Sequence, residues 1–417
     1  MPKSKRKNNI IYLDHASSAI WTSPNAGAIH DLGVKEKNKL ENARTTIAKI
    51  LSAHNSEIIL TSGATESNNL AIFGLIQKQN LTLRPLLNKE RVGERSNLPH
   101  IVTTNIEHAS VLAVCRHLEK TKQAEVTYVP VEENGIIDPK KIKKALRSDT
   151  VLVSVMYANN EIGTIQPIRE IAKEIRHFNK NVKRKVFEWS GWGRDPENRG
   201  PEKTSPFNIF FHTDATQAIN YLPISIPQLG VDLMSFNGAK IYGPKGAGVL
   251  YVKKDTPINP IMFGGEQEFG LRPGTENVAF AVKIAKALED SEKIKEKEIK
   301  RLIILRDYFI TKLKKVGLII NGDLKNRLPN NINVTVPNIP SDLLVIELSA
   351  RGIMASAKSA CKSGDGKVSH VIKAIHKNIK ETDGSLRFSL GRETTKSDID
   401  FTVKTLSEIL TKLKKWY

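Results

Sequence analysis

The chain has only two cysteines in 417 residues, Cys115 and Cys361. Two thiols cannot staple a chain of this length, and neither has metal-ligand spacing around it, so a disulfide scaffold and a cysteine-based metal module are both excluded. Aromatic residues are scarce at 6%, and few fall between the lysines. No zinc finger or other compact nucleic-acid motif is present, so direct nucleic-acid binding is not expected. Acidic residues fall short of basic ones, 44 against 64, leaving a formal net charge of +20. Such an excess suits acidic partners, yet the lysines are spread over helical stretches such as 283–315 and 371–380, the pattern of a solvated basic surface. No apolar run is long enough to span a bilayer. The basic start Met1–Lys7 leads into Ile10–His15, which breaks off too early for a secretion signal. A cytoplasmic protein is expected, with residues 1–9 a disordered basic arm.

Hydrophobic residues make up 40% of the chain, enough for ordinary folding, and the length calls for two or three domains. Strands and helices alternate. Ile10–Leu13 reads as a short strand, and His30–Leu51 has helical periodicity. The strand Glu57–Thr61 runs into Ser62-Gly63-Ala64-Thr65-Glu66-Ser67 and a helix. Ile101–Thr104 ends at Glu107-His108 and a helix from Ser110. Val126–Val131 precedes Asp138-Pro139, which opens a helix in cap-then-proline order. Val151–Met156 closes on Asn159-Asn160-Glu161-Ile162-Gly163, with a helix over 168–178. Asn208–His212 then delivers Asp214 and Gln217. This alternation over 55–255 predicts a mainly parallel sheet covered by helices. Ligands of such sheets gather at the carboxyl ends of the strands, where Thr65, His108, Asn160, Asp214 and Gln217 all fall. The start of the helix at Ala64-Thr65 is either an anion-binding corner or an ordinary cap.

Lys240 stands between an apolar segment ending at Phe236 and the glycine-rich run Gly243–Gly248. Two readings fit that stretch: a Schiff-base lysine in a dry, turn-rich place, or a surface lysine in a hairpin loop. Beyond residue 262 the pattern changes to a glycine-rich loop, a long charged helix (278–315), and an α+β region with strands near 332–336 and 386–390 and a helix at 341–350. Residues 180–208 read as an inserted surface loop, and 80–99 as a second insertion. Cys115, beside Leu112 on an apolar helical face, reads as core.

Nine segments in order resemble the cysteine desulfurases, pyridoxal-phosphate enzymes of the class V aminotransferase group. They are Tyr12-Leu13-Asp14, Thr61–Ser67, Glu107-His108, Asn159–Gly163, His212–Gln217, Lys240–Gly246, Arg272-Pro273-Gly274-Thr275-Glu276-Asn277, Ser359-Ala360-Cys361-Lys362-Ser363-Gly364 and Leu386-Arg387-Phe388-Ser389-Leu390. The resemblance implies an aspartate-aminotransferase-like α/β fold: a large cofactor domain (24–262) with a mainly parallel seven-stranded sheet, and a smaller α+β domain (10–23 and 263–417) that carries the cysteine loop. It also implies conversion of L-cysteine to L-alanine, with a persulfide left on Cys361.

Under that resemblance Lys240 carries pyridoxal 5'-phosphate and moves the substrate proton, and Asp214 pairs with the ring nitrogen. His108 stacks on the ring and assists proton transfer. Asn160 and Gln217 bond the ring hydroxyl or the substrate. Ala64, Thr65 and Asn237 bind the phosphate, and Thr275 reaches the phosphate of a neighbouring subunit, implying a homodimer. Arg387 clamps the substrate carboxylate. Cys361 is the nucleophile, with Lys358 and Lys362 placed to favour its thiolate. Sulfur-acceptor proteins follow, for iron–sulfur clusters or tRNA thiolation. Alternatives are a selenocysteine lyase or another class V pyridoxal-phosphate enzyme, which would not need Cys361. An inactive basic homologue acting as a sulfur-transfer scaffold or RNA-binding protein is the alternative of another class.

The sequence departs from the family in places. The segment between Asp14 and His30 is short, and Phe269 and Pro273 stand where arginine and serine are common. Most pointedly, Ala239 and Asn237 replace the usual histidine and serine before the lysine. Asn237 keeps a donor and Ala239 does not. Titration of the apoenzyme with pyridoxal phosphate is therefore expected to give weaker binding than in a histidine-bearing relative; equal affinity would contradict the expectation.

Overall fold

The computed structural model describes residues 12–17, 24–87, 98–189, 208–357, 368–376, 378–380 and 382–413, apart from the side chains of 80–87 and 182–189. Seven strands form the main sheet: β1 (Ile58–Thr61), β2 (His100–Thr104), β3 (Glu125–Val129), β4 (Thr150–Ser154), β5 (Phe210–Asp214), β6 (Leu233–Asn237) and β7 (Gly248–Val252). Their spatial order is β1-β7-β6-β5-β4-β2-β3. The pairs β3/β2, β2/β4, β4/β5 and β5/β6 are parallel, and β7 runs antiparallel to both β6 and β1. The mainly parallel sheet expected from the alternation is present.

Every residue of β2, β4 and β7 is buried, as continuous apolar strands require when both faces are covered. Leu152 and Val153 show the two-residue alternation of a strand. Leu152 joins a core under α2 (Ala64–Leu87) and α3 (Ala109–Lys120), together with Ile59, Leu70, Ile101 and Cys115. Val153 joins a second core, with Ile47, Ile171 and Phe211, on the face covered by α1 (Asp31–Leu51), α4 (Pro139–Ala145) and α5 (Ile168–Trp189). That second core continues without a break into a smaller antiparallel sheet, ordered β10-β9-β8, of β8 (Ile319–Ile320), β9 (Asn331–Val336) and β10 (Gly384–Ser389).

The bridge between the two sheets is α7 (Val278–Lys315). Its first half buries Ala281, Ile284 and Leu288 and packs along α1, while Leu302, Phe309 and Leu313 serve the small sheet. Phe309 meets Phe388 at 5.0 Å between ring centres. Asn277 caps α7, its side-chain oxygen accepting from Phe280 N–H at 3.1 Å. The helices α8 (Ser341–Ser349), α9 (His370–Ile375) and α10 (Lys396–Leu413) complete the small-sheet region.

Some sequence expectations are corrected. Tyr12–Asp14 is irregular rather than a strand: Leu13 is exposed, and Asp14 accepts from Ser17 Oγ at 2.7 Å in a turn. Residues 180–189, expected as part of a loop, extend α5, and residues 80–87, the start of the other insertion, extend α2. In 180–189 no glycine or proline occurs, and Lys, Arg and Glu are good helix formers; the first breaker is Gly191. The remainders of both insertions, the 1–9 arm and most of 10–23 lie outside the described residues.

A buried ion pair ties these parts together. The Arg44 guanidinium bonds both carboxylate oxygens of Glu268, at 2.8 and 2.9 Å, and the Ile58 carbonyl at 2.5 Å. Glu268 also accepts from Leu60 N–H at 2.8 Å. It therefore holds β1, α1 and the loop before α7 at one point, and both Glu268 and Phe269 take positive φ to do so. Arg44 lies over the Phe269 ring at 5.1 Å. Both charged side chains are about 3% exposed. Removing one partner strands the other charge, so Arg44→Ala is expected to lower stability by roughly 3–5 kcal/mol in denaturant unfolding; a loss below about 1 kcal/mol would place the pair among ordinary surface bridges.

Candidate active site

The carboxyl ends of the parallel strands open on a cavity of about 360 Å³. Lys240 enters it from a 3-10 turn, Gly238–Lys240, in the β6–β7 connection. Asn237 ends β6 and caps that turn, its Oδ1 accepting from Lys240 N–H at 3.2 Å. A side chain at Gly238 would press to 2.7 Å from the Pro244 carbonyl, so only glycine fits this crossing. Lys240 and Ala239 are exposed in the single chain, so the turn is not dry as the sequence suggested.

Asp214 is the last residue of β5 and is buried. Its Oδ1 accepts from Thr216 N–H at 2.9 Å and its Oδ2 from Asn68 Nδ2 at 2.8 Å. His108 caps α3 and lines the same cavity, with Nδ1 2.8 Å from Ser110 Oγ. Ala64 and Thr65 bring the first turn of α2 to the wall. Its backbone N–H groups and the helix dipole favour an anion there. The Gly63 turn is pressed against β7: a Cβ on Gly248 would lie 2.5 Å from Gly63 Cα.

On the opposite wall stands Arg387 from β10, donating to the Asn160 carbonyl at 3.2 Å. Its Nε is buried without a partner. Burial holds the guanidinium below its usual pKa, against the attraction of Glu161. Asn160 and Gln217 also line the cavity. Nine of the sequence-predicted site residues thus meet: Ala64, Thr65, His108, Asn160, Asp214, Gln217, Asn237, Lys240 and Arg387. Thr275 does not; it lines a separate recess of about 230 Å³ with Ser62, Gly246 and Arg272. Cys361 lies outside the described residues. Cys115 is fully buried, and burial pushes its thiol up to about 12, which makes it inert core.

The donor set suits pyridoxal phosphate. A carboxylate at the cavity floor retains lone pairs for a ring N–H, a lysine reaches in from the rim, and a helix start offers N–H groups to a phosphate. Thr216 Oγ1, at the floor, is buried without a partner. An orphaned arginine Nε stands where a substrate carboxylate would complete it.

The sequence pattern of aminotransferase class V matches residues 11–183 and 203–401. The chain belongs to the class V aminotransferase family. Among relatives, "Cysteine desulfurase IscS" of Dictyoglomus turgidum is 41% identical over 392 residues, covering 94% of this chain and 88% of that protein. "Cysteine desulfurase IscS" of Methanosarcina thermophila is 39% identical over 391 residues, covering 94% and 86%. A solved structure titled as a NifS-like protein superposes with a TM-score of 0.76 at 32% identity, covering 93% of this chain and 91% of that one.

For this class V chain the sequence reading missed the groups behind the floor. His212 is fully buried between Ser154 Oγ at 2.8 Å and Ser235 Oγ at 3.0 Å. Burial pushes it down to about 4, against the pull of Asp214, so it is neutral. Tyr242 stacks under the Arg392 guanidinium at 3.9 Å and accepts from Arg392 N–H at 3.1 Å, joining the Lys240 turn to the end of β10. His212 and Tyr242 both fall inside the family segments, His212–Gln217 and Lys240–Gly246, but nothing local to either segment advertises these contacts.

Glu107, beside His108, accepts from Met156 N–H at 3.0 Å and from Thr104 Oγ1 at 2.7 Å. Burial pushes its carboxyl from 4.5 up to about 8; the two hydrogen bonds oppose this, and the charge of Asp214 adds to it. A raised folded pKa means that the folded chain binds more protons than the unfolded one between about 4.5 and 8. Its contribution to stability is therefore fully present below that window and is lost as pH rises through it. Glu107→Gln is expected to flatten this part of the Tm-against-pH curve; parallel curves for variant and wild type would contradict the assignment.

Proposed function

We propose that this chain is a pyridoxal-phosphate-dependent cysteine desulfurase that takes sulfur from L-cysteine onto Cys361 and releases L-alanine. The observation that carries the reading is the meeting of Lys240, Asp214, His108, the α2 N-terminus and Arg387 around one cavity. The cysteine desulfurase relatives cover nearly the whole chain, which supports the choice of reaction.

Pyridoxal phosphate, when bound, supplies an electron sink for bonds at the substrate's α and β carbons. Asp214 would hold the ring nitrogen protonated, with Asn68 and Thr216 fixing its carboxylate. Lys240 Nζ would hold the cofactor and carry the substrate's α proton. His108 would cover one face of the ring and move a proton through Nε2. The α2 N-terminus, with Thr65 and Asn237, would take the phosphate, and Gln217 and Asn160 the ring hydroxyl or the substrate. Arg387 would pair its free edge with the substrate carboxylate, a planar match that orients the sulfur.

Cys361 Sγ, as the thiolate, attacks the substrate sulfur. The Sγ–S bond forms, the substrate Cβ–S bond breaks, and its electron pair stays on the carbon that becomes the methyl group of alanine after protonation. The residues flanking the Cys361 segment are docked beside the cavity. Ser356 exchanges two backbone bonds with Arg387, at 3.1 and 2.7 Å, and Ser369 Oγ donates to Glu161 Oε2 at 2.5 Å. A homodimer with Thr275 serving the neighbouring subunit, a cytoplasmic location, two domains divided near 262, and acceptor proteins for iron–sulfur or tRNA sulfur belong to the same reading. Among the described residues, no helix is long and apolar enough to cross a membrane.

The test is sulfide and alanine release from cysteine with a reductant present. Cys361→Ala is expected to bring release to background while the protein stays yellow, and Lys240→Ala to remove both colour and activity. Intact release from Cys361→Ala would overturn the persulfide step and favour a lyase of the selenocysteine type.

A further inference from the structure

We propose that Asn68 and Ser110 are positioning residues that lock His108 in one tautomer, proton on Nε2, and tie its ring to Asp214. Asn68 is fully buried. Its single amide nitrogen lies 2.8 Å from Asp214 Oδ2 and 2.8 Å from Ser110 Oγ. An ionised carboxylate only accepts, so the amide nitrogen, not its oxygen, must face Asp214. The two amide hydrogens are then both committed, one to Asp214 and one to Ser110.

That fixes the next link. Ser110 Oγ accepts from Asn68, which leaves its own hydrogen for His108 Nδ1 at 2.8 Å. Ser110 N–H also points at Nδ1, at 3.2 Å. With two donors aimed at it, Nδ1 accepts, which places the ring's N–H on Nε2. The chain has one direction throughout: Asn68 donates to both sides and Ser110 passes a donor onward. The amide oxygen of Asn68 is buried with no partner, a cost that cores normally avoid. The residue is held there by what its nitrogen does.

The consequence rests on the functional reading above, in which Asp214 meets the ring nitrogen and His108 covers the ring face. The same amide would then fix both sides of the cofactor in one register, and would present His108 as a proton donor through Nε2. Neither residue touches the reacting atoms in this account.

The test is nitrogen NMR of the holoenzyme labelled at histidine, with the His108 signals assigned by a His108→Gln variant. Wild type is expected to show a pyridine-like Nδ1 and a pyrrole-like Nε2. Ser110→Ala removes the 2.8 Å hydroxyl donor but leaves the 3.2 Å backbone N–H on Nδ1, so it should move the His108 Nδ1 signal, loosen the hold on one tautomer and lower kcat by roughly tenfold with KM little changed, the low end of what loss of a histidine's orienting partner costs at metal sites. Ser110→Thr keeps the hydroxyl and should restore both. Unchanged His108 signals in a folded Ser110→Ala protein would overturn the proposal, as would a Thr variant that behaves like Ala. A wild type with these ring signals but no sulfide release would support the tautomer lock and overturn the desulfurase reading instead.

Discussion

Parallel pairing of β2, β4, β5 and β6 forces four strands to end at the same edge of the sheet. The rest of the site follows from that constraint. Each strand must turn into a connection at that edge, and each connection brings its own polar residue: His108 after β2, Asn160 after β4, Asp214 at the end of β5, Asn237 at the end of β6. The antiparallel return of β7 closes the edge with the Lys240 turn and presses Gly248 against Gly63. The α2 N-terminus is thereby held at the cavity. The small sheet contributes Arg387 only because one continuous core and α7 fix it against the large one. Without the rigid second core, Arg387 and the floor aspartate would have no fixed separation.

Lys240 shows how two sequence readings can describe one place. The stretch around it suggested either a hairpin loop or a Schiff-base lysine, and the geometry makes the two compatible. The lysine does sit in the connection of an antiparallel pair, and it is exposed. It also lines the cavity that Asp214 lines. Exposure in a single chain costs the lysine nothing by way of desolvation, so the proposed role as cofactor anchor would rest on its place at the cavity rather than on dryness.

Much of this was legible because strand ends and helix starts leave local marks. The Asp138-Pro139 pair, the glycines around Lys240 and the polar residues after each apolar run are short-range signals, and the sheet, the long α7 and the site wall follow from them. What was not legible lies in contacts between distant segments. Arg44 and Glu268 are 224 positions apart, Asn68 and Asp214 146, and Asn68 and Ser110 42. Asn68 looked like any polar residue on the first turns of a helix, and only packing of α2 over the end of β5 turns it inward. The extension of α5 was missed for the opposite reason. Its lysines and arginines resemble a loop in composition, while their helix preference and the lack of a breaker decide the structure.

The α2 end of the cavity, proposed above to take the phosphate, is where sequence and geometry bear on each other most closely. Asn237 stands where the family has serine, but its oxygen is committed to the Lys240 backbone N–H. Only its amide hydrogens remain for a ligand. Ala239 offers no hydrogen bond at all. Glu66, one residue past Thr65, has its charge engaged by the Ser62 N–H and by Arg272, at 2.7 and 3.1 Å, which keeps a carboxylate at the helix start from competing with an anion. Phosphate binding within one chain would therefore rest on backbone N–H groups, the Thr65 hydroxyl and the Asn237 amide, with no side-chain donor at Ala239. A cup of this kind is built from dipoles that the fold fixes in place. Its strength then depends on how firmly the Gly63–Gly248 contact holds the helix start against the sheet.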